Sequence, residues 1–206
     1  VETVLVYLDG RVAQIDGENL LLPVGTPLDR TSDAVLGGFR IDDLVKVMKT
    51  IPAKARIVVV DAAAAPEEII GAKSFGTGLA IVEAPPGFLI TFNQSPGRPL
   101  VEPQPPMGSF MRAFIDALQQ PVASYGDTFA LARQRVFDES RNREMPWTHD
   151  SLGNAGLSFF PLPPGTPAVM VARSGAVRAG ENETSGEAFK RVIASDTMAD
   201  YQSFLV

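Results

Sequence analysis

Two short apolar runs separated by an amphipathic segment limit the fold more than any other feature of the sequence. Thr3 to Leu8 (TVLVYL) is β-branched and aromatic, as expected of a buried strand. Ile41, Leu44, Val45 and Met48 recur at helical spacing with charges between them, which predicts an amphipathic helix closed by Pro52. Ile57 to Val60 is apolar throughout, the pattern of a strand buried on both faces of a parallel sheet. Strand, crossover helix and strand form a βαβ unit, right-handed by default. The expected class is therefore α/β, with helices covering the faces of a mostly parallel sheet.

The rest of the chain adds elements to that unit. Asp16-Gly17 predicts a hairpin-like turn into a short strand over Asn19 to Val24. Residues 25 to 39 and 61 to 78 are rich in small or polar residues and read as loops. Strands are expected at Leu79 to Val82 and Phe88 to Phe92, around the turn Pro85-Pro86-Gly87. The many prolines of residues 93 to 107 predict a long exposed loop. One helix should carry Phe110, Met111, Phe114, Ile115 and Leu118 on a face. A second should start at an Asp127 cap and bury Phe129, Ala132 and Val136. Leu157 to Phe160 reads as a final strand, so residues 1–160 form the main domain. Residues 161–180 read as a linker or arm. Residues 181–206 read as the start of a helical appendage, with short helices over Glu187 to Ala194 and Met198 to Leu205.

Composition excludes several function classes. The net charge is −6 and no Lys/Arg cluster stands out, which argues against a nucleic-acid partner. No apolar run reaches the ~20 residues that span a bilayer. The chain has no cysteine, so a disulfide framework, a thiolate metal site and a cysteine nucleophile are all excluded. Its acids lack metal-loop spacing, and Gly76-Thr77-Gly78 lacks the strand–helix context of a dinucleotide fingerprint. No metal and no cofactor are expected.

Five segments, in order, resemble the bacterial caspase-like cysteine peptidases. Asp16-Gly17-Glu18-Asn19 and Leu21-Leu22-Pro23-Val24 resemble a family stretch that follows a strand ending in Gly-His-Gly. Ile57 to Ala64 resembles the strand that ends in Asp-Ala-Cys-Arg. Gly78-Leu79-Ala80 with Val82-Glu83-Ala84-Pro85, and Leu89 to Phe92 with Ser95-Pro96-Gly97, resemble the next two segments. Pro146-Trp147 through Phe160 resembles the end of the domain. The resemblance implies a caspase-like three-layer α/β sandwich. It also implies family strands before Val1, missing here, that a separate part of the parent protein would supply. It leans toward a periplasmic or secreted compartment.

The resemblance places the family's catalytic His on Arg11 and its nucleophilic Cys on Ala63, a separation of 63 − 11 = 52 residues. Caspases hold the pair about 50 residues apart. Arg11 is protonated at any physiological pH and takes up no proton. Ala63 has no nucleophilic atom. The resemblance also marks Asp61, Gly10, Asn93 and Ser95 as substrate-binding positions. Three readings follow: a peptide- or protein-binding scaffold without hydrolysis, an Arg/Lys-specific endopeptidase whose nucleophile was mutated to Ala63, or a hydrolase with another nucleophile. For the third, Ser74, Ser95 and Ser109 carry hydroxyls, and His149 is the one histidine, read as a surface-loop residue. If Arg11 pairs with Asp61 or Asp9, an ion pair fills the site.

Overall fold

In the computed structural model, residues 1–26, 31–65, 78–102, 107–153 and 156–169 are described. The first strand, β1, runs over Thr3–Ile15 and turns at Asp16-Gly17 into β2 (Glu18–Leu22). Both turn residues have positive φ, 51° and 81°, the type I′ geometry that Asp-Gly favours. Next come α1 (Thr31–Gly37), the two-residue β3 (Phe39–Arg40) and α2 (Ile41–Lys49). The central strand β4 spans Ala55–Ala64 and β5 spans Phe88–Phe92. Two helices, α3 (Ser109–Leu118) and α4 (Tyr125–Glu139), precede β6 (Trp147–Asp150).

These strands form one mixed sheet in the order β3-β2-β1-β4-β5-β6. Its centre is parallel, β1 against β4 and β4 against β5, while β2, β3 and β6 add antiparallel pairs at the edges. Period-2 alternation along β4 divides the core in two. Val58 and Val60 face the side covered by Ile41, Val45 and Met48 of α2. Ile57 and Val59 face Phe110 and Phe114 of α3 and Phe129 and Val136 of α4. Helix, sheet and helix make the three layers expected of a caspase-like sandwich.

Several local expectations are corrected. Residues 25 to 39 are not all loop, because α1 and β3 lie there; Ala34 of α1 buries its methyl against Ala13, Ile15 and Leu20. Leu79 to Val82 is not a strand. The Asn19 side chain bonds both the N–H and the C=O of Ala80, at 2.7 and 2.8 Å, and so takes the place of a neighbouring strand. Helix α4 is capped by Ser124, whose side chain accepts from the Asp127 N–H, so Asp127 lies inside the first turn. Leu157 to Phe160 is irregular. Phe159 packs there on Phe114, Tyr125 and Phe129, and the sixth strand is Trp147–Asp150 instead. Ile115 is partly exposed, while Ala113 and Ala117 complete the buried face of α3.

Residues beyond Val169, with the two expected C-terminal helices, lie outside the described residues, as do Ser74 and Gly76-Thr77. No helix among the described residues is long and apolar enough to cross a membrane.

Candidate functional site

The carboxyl ends of parallel strands are where open α/β sheets place their ligands. Here β1 and β4 run side by side to those ends. Their register pairs Asp9 with Asp61, Gly10 with Ala62 and Arg11 with Ala63. The two positions that the resemblance assigns to His and Cys are therefore direct cross-strand neighbours. Period-2 alternation puts Tyr7, Asp9, Arg11, Asp61 and Ala63 on the α3–α4 side of the sheet.

Asn93 extends this row by one strand. Its N–H donates to the Val60 carbonyl, its side-chain amide donates to the Ala62 carbonyl, and its side-chain oxygen accepts from the Ala62 N–H at 3.0 Å. The side chain thus continues the β4–β5 ladder after Phe92 and ties down the backbone between Asp61 and Ala63. Gly10, paired with Ala62, belongs to the opposite face of the sheet, where it leaves room for Leu21; a Cβ there would lie 3.1 Å from its Cδ1. Ser95 is placed differently. It is buried, and its hydroxyl donates to the Met145 carbonyl at 2.8 Å, in the wall that leads to β6.

Asp61 is the one buried carboxylate of the group. The Tyr7 hydroxyl donates to it at 2.8 Å. Burial raises its pKa above the ordinary Asp value, and the charges of Asp9 and Glu144 raise it further; hydrogen bonds from Tyr7 and Asn93 oppose the shift. Tyr7 itself is held neutral well beyond the usual tyrosine range, first by burial and then by the Asp61 charge. Glu144 in turn accepts from the Ser109 hydroxyl.

Arg11 does not pair with Asp61 or Asp9. Its Nη2 meets Glu102 Oε1 at 2.8 Å, its Nη1 lies 3.5 Å from Oε2, and Nη1 also donates to the Ala64 carbonyl. The expected ion pair exists with a different acid. Glu102 escaped the sequence reading because nothing in a proline-rich loop encodes its path. Tyr7 is likewise absent from the sequence-derived site, although period-2 alternation with Asp9 and Arg11 is a signal that points to it.

The serine and histidine alternatives are also located. Ser109 is engaged by Glu144. His149 sits in the edge strand β6, not in a surface loop. It is paired with Ile90, and its Nδ1 accepts from the Ala84 N–H at 3.1 Å. Two strands and five residues separate it from Ala63, on the order of 20 Å. Among the described residues no group of three or more His, Asp or Glu is placed to hold a metal ion.

A guanidinium and a methyl group thus stand side by side at the carboxyl ends of the central strands, beside a buried carboxylate. Such a site can bind and orient. It supplies no base and no nucleophile at the paired positions. No curated protein matches the chain. The Caspase domain model of the C14 peptidases matches residues 2–154, most of the chain, and the chain belongs to that family.

Proposed function

We propose that this caspase-domain protein is a pseudo-peptidase. It keeps the family's cleft as a site for a peptide or protein partner and does not hydrolyse it. One observation carries the reading: Arg11 and Ala63 are register partners at the carboxyl ends of the central strands. Cysteine proteolysis needs a thiolate beside a group that accepts and returns a proton. A permanently charged guanidinium and a methyl group perform neither task, and the chain has no cysteine elsewhere. Acid–base catalysis alone is worth about 10²- to 10⁴-fold in rate. Asp61 and Asn93 would contact the bound chain through their side chains, Gly10 would do so through its backbone, and Ser95 would support the wall behind them.

The test is an assay of Arg- and Lys-containing peptides with four proteins: the unmodified chain, R11H, A63C and R11H/A63C. The unmodified chain should leave every peptide intact while binding at least one of them. Turnover by the unmodified chain would refute the proposal. Turnover by A63C alone would favour the endopeptidase whose nucleophile was replaced, because Arg11 would then be compatible with catalysis.

A further inference from the structure

Residues 79–85 are irregular backbone inside the α2-side core. Leu79, Val82 and Ala84 bury there in one cluster with Phe88, Ile90 and Trp147 of β5 and β6. Buried backbone amides outside a ladder need partners of another kind, and two side chains supply them. The Ala80 N–H donates to Asn19 Oδ1 at 2.7 Å, and the Ala84 N–H donates to His149 Nδ1 at 3.1 Å. The two clamps differ in one respect. An amide oxygen accepts at any pH, whereas an imidazole nitrogen accepts only while it carries no proton. His149 is half-buried, and its ring meets the Trp147 indole edge to face, with centroids 6.0 Å apart.

We infer that His149 is an acid-sensitive clamp. While its ring is neutral it pins the Ala84 end of the segment to β6. When the ring takes a proton it lets that end go, so acid loosens the cover over Trp147. The clamp lies on the opposite face of the sheet from Arg11 and Ala63 and does not rest on the pseudo-peptidase reading.

Histidine is the side chain whose charge changes between pH 5 and 8, and His149 is the one histidine of the chain. Once the ring is charged both of its nitrogens are donors. The Ala84 N–H then faces another N–H where a lone pair stood. The charged groups around the ring do not replace that bond. On the segment, Glu83 is exposed. On β6, Asp150 is exposed, its Oδ1 accepts from the Leu152 N–H, and alternation turns it to the other face. Strand β5 carries no ionisable residue. Arg56 of β4 lies over the Phe88 ring and is engaged by the Met48 and Ile51 carbonyls; it adds positive charge to this face. Among the described residues no carboxylate forms an ion pair with His149. The far end of the segment keeps its ties, because Asn19 holds Ala80 and the Gly97 N–H donates to Leu79 O. Acid therefore produces a local opening at Ala84 and leaves the fold in place.

One segment holds both the titratable and the non-titratable clamp, so its two amides report against each other. Hydrogen exchange of Ala84 and Ala80 is followed by NMR from pH 8 to pH 5.5 in the unmodified chain, each rate divided by the intrinsic rate at that pH. Protection of Ala84 should fall about fivefold, the size expected for one lost hydrogen bond, while protection of Ala80 stays constant. His149→Asn places an oxygen acceptor where Nδ1 lies and should keep Ala84 protected across the range. The chain's one tryptophan is Trp147, which gives a second readout. Its quenching by acrylamide should rise over the same range in the unmodified chain and stay level in His149→Asn. Equal pH profiles for Ala84 and Ala80, quenching that does not change with pH, or an acid loss of protection that persists in His149→Asn would each overturn the clamp.

Discussion

The β1–β4 ladder has two halves that obey different rules. In the lower half, Thr3 to Leu8 lies against Ala55 to Val60. Ile57, Val58, Val59 and Val60 have no exposed surface, and helices cover both faces. In the upper half, Asp9 to Val12 lies against Asp61 to Ala64, and the side chains there are charged, small or hydrogen-bonded except Val12, which is buried in the α2-side core. Apolar burial holds the lower half together, at roughly 25 cal/mol for each Å² removed from water. On the Arg11–Ala63 face of the upper half, hydrogen bonds and one exposed ion pair are the ties, each worth about 1 kcal/mol or less in net terms, while Val12 and Ala62 bury against the other face. The scaffold therefore does not depend on the chemistry at its open end. Changes of residue type at Arg11 and Ala63 should therefore have little effect on folding.

The sharpest way to break that comparison is in the lower half. Ile57→Ala removes a fully buried side chain packed against α3 and α4. The close-packed interior will not collapse onto the gap, so urea denaturation should show a loss of about 2–5 kcal/mol. A loss below about 1 kcal/mol would mean that the lower half is not the rigid part.

Asn93→Ala tests the boundary between the halves. It leaves the Ala62 N–H and C=O without the partners that Asn93 now supplies. Unpaired but partly hydrated groups should cost about 1–2 kcal/mol, less than Ile57→Ala. Since Ala62 links Asp61 to Ala63, the variant should also speed alkylation by iodoacetamide in the A63C background. A stable Asn93→Ala protein with unchanged alkylation would show that the row at the open end is held by something other than Asn93.

The same division explains what the sequence made legible. Alternation and helical spacing work where burial decides, and they located β4, β5, α2, α3 and α4. They failed where polar side chains replace regular pairing. The Leu79 to Val82 run is apolar enough for a strand, yet Asn19 satisfies its Ala80 backbone and no strand forms. Thr31–Gly37 carries no helical signal in the sequence because its helix is short and buries little beyond Ala34. At the site, the resemblance marks Arg11, Ala63 and Asp61, but that Arg11 lies opposite Ala63 and Asp61 opposite Asp9 comes from the strand register of the structure. The long-range partners were not legible either. Glu102 reaches Arg11 from 91 residues away and Glu144 reaches Ser109 from 35, and no local periodicity encodes either contact.

The smallest expected effect sharpens the comparison inside the upper half, where Asp61 alone is both buried and ionisable. Burial, with the charges of Asp9 and Glu144, raises its folded-state pKa above its unfolded value. The folded protein then holds a proton on Asp61 at pH values where the unfolded chain has lost it. The stability that Asp61 contributes is thus fully present below the unfolded value near 3.8 and is lost as pH rises through the folded value. Asp61→Asn keeps the shape and an acceptor for the Tyr7 hydroxyl, and it removes the titration. At neutral pH the variant should be as stable as the wild type or slightly more so, within about 1 kcal/mol, because the cost of a buried charge is gone. As pH falls toward the ordinary carboxylate range, the wild type should gain on Asp61→Asn, and the difference should level off below it. Denaturant midpoints for both proteins, taken from pH 7 to pH 3.5 at constant ionic strength, read this directly. Parallel profiles would mean that Asp61 is better hydrated than its burial implies. The open end of the sheet would then be wet down to the Tyr7–Asp61 pair, and the line between the two halves would move one turn of the ladder deeper.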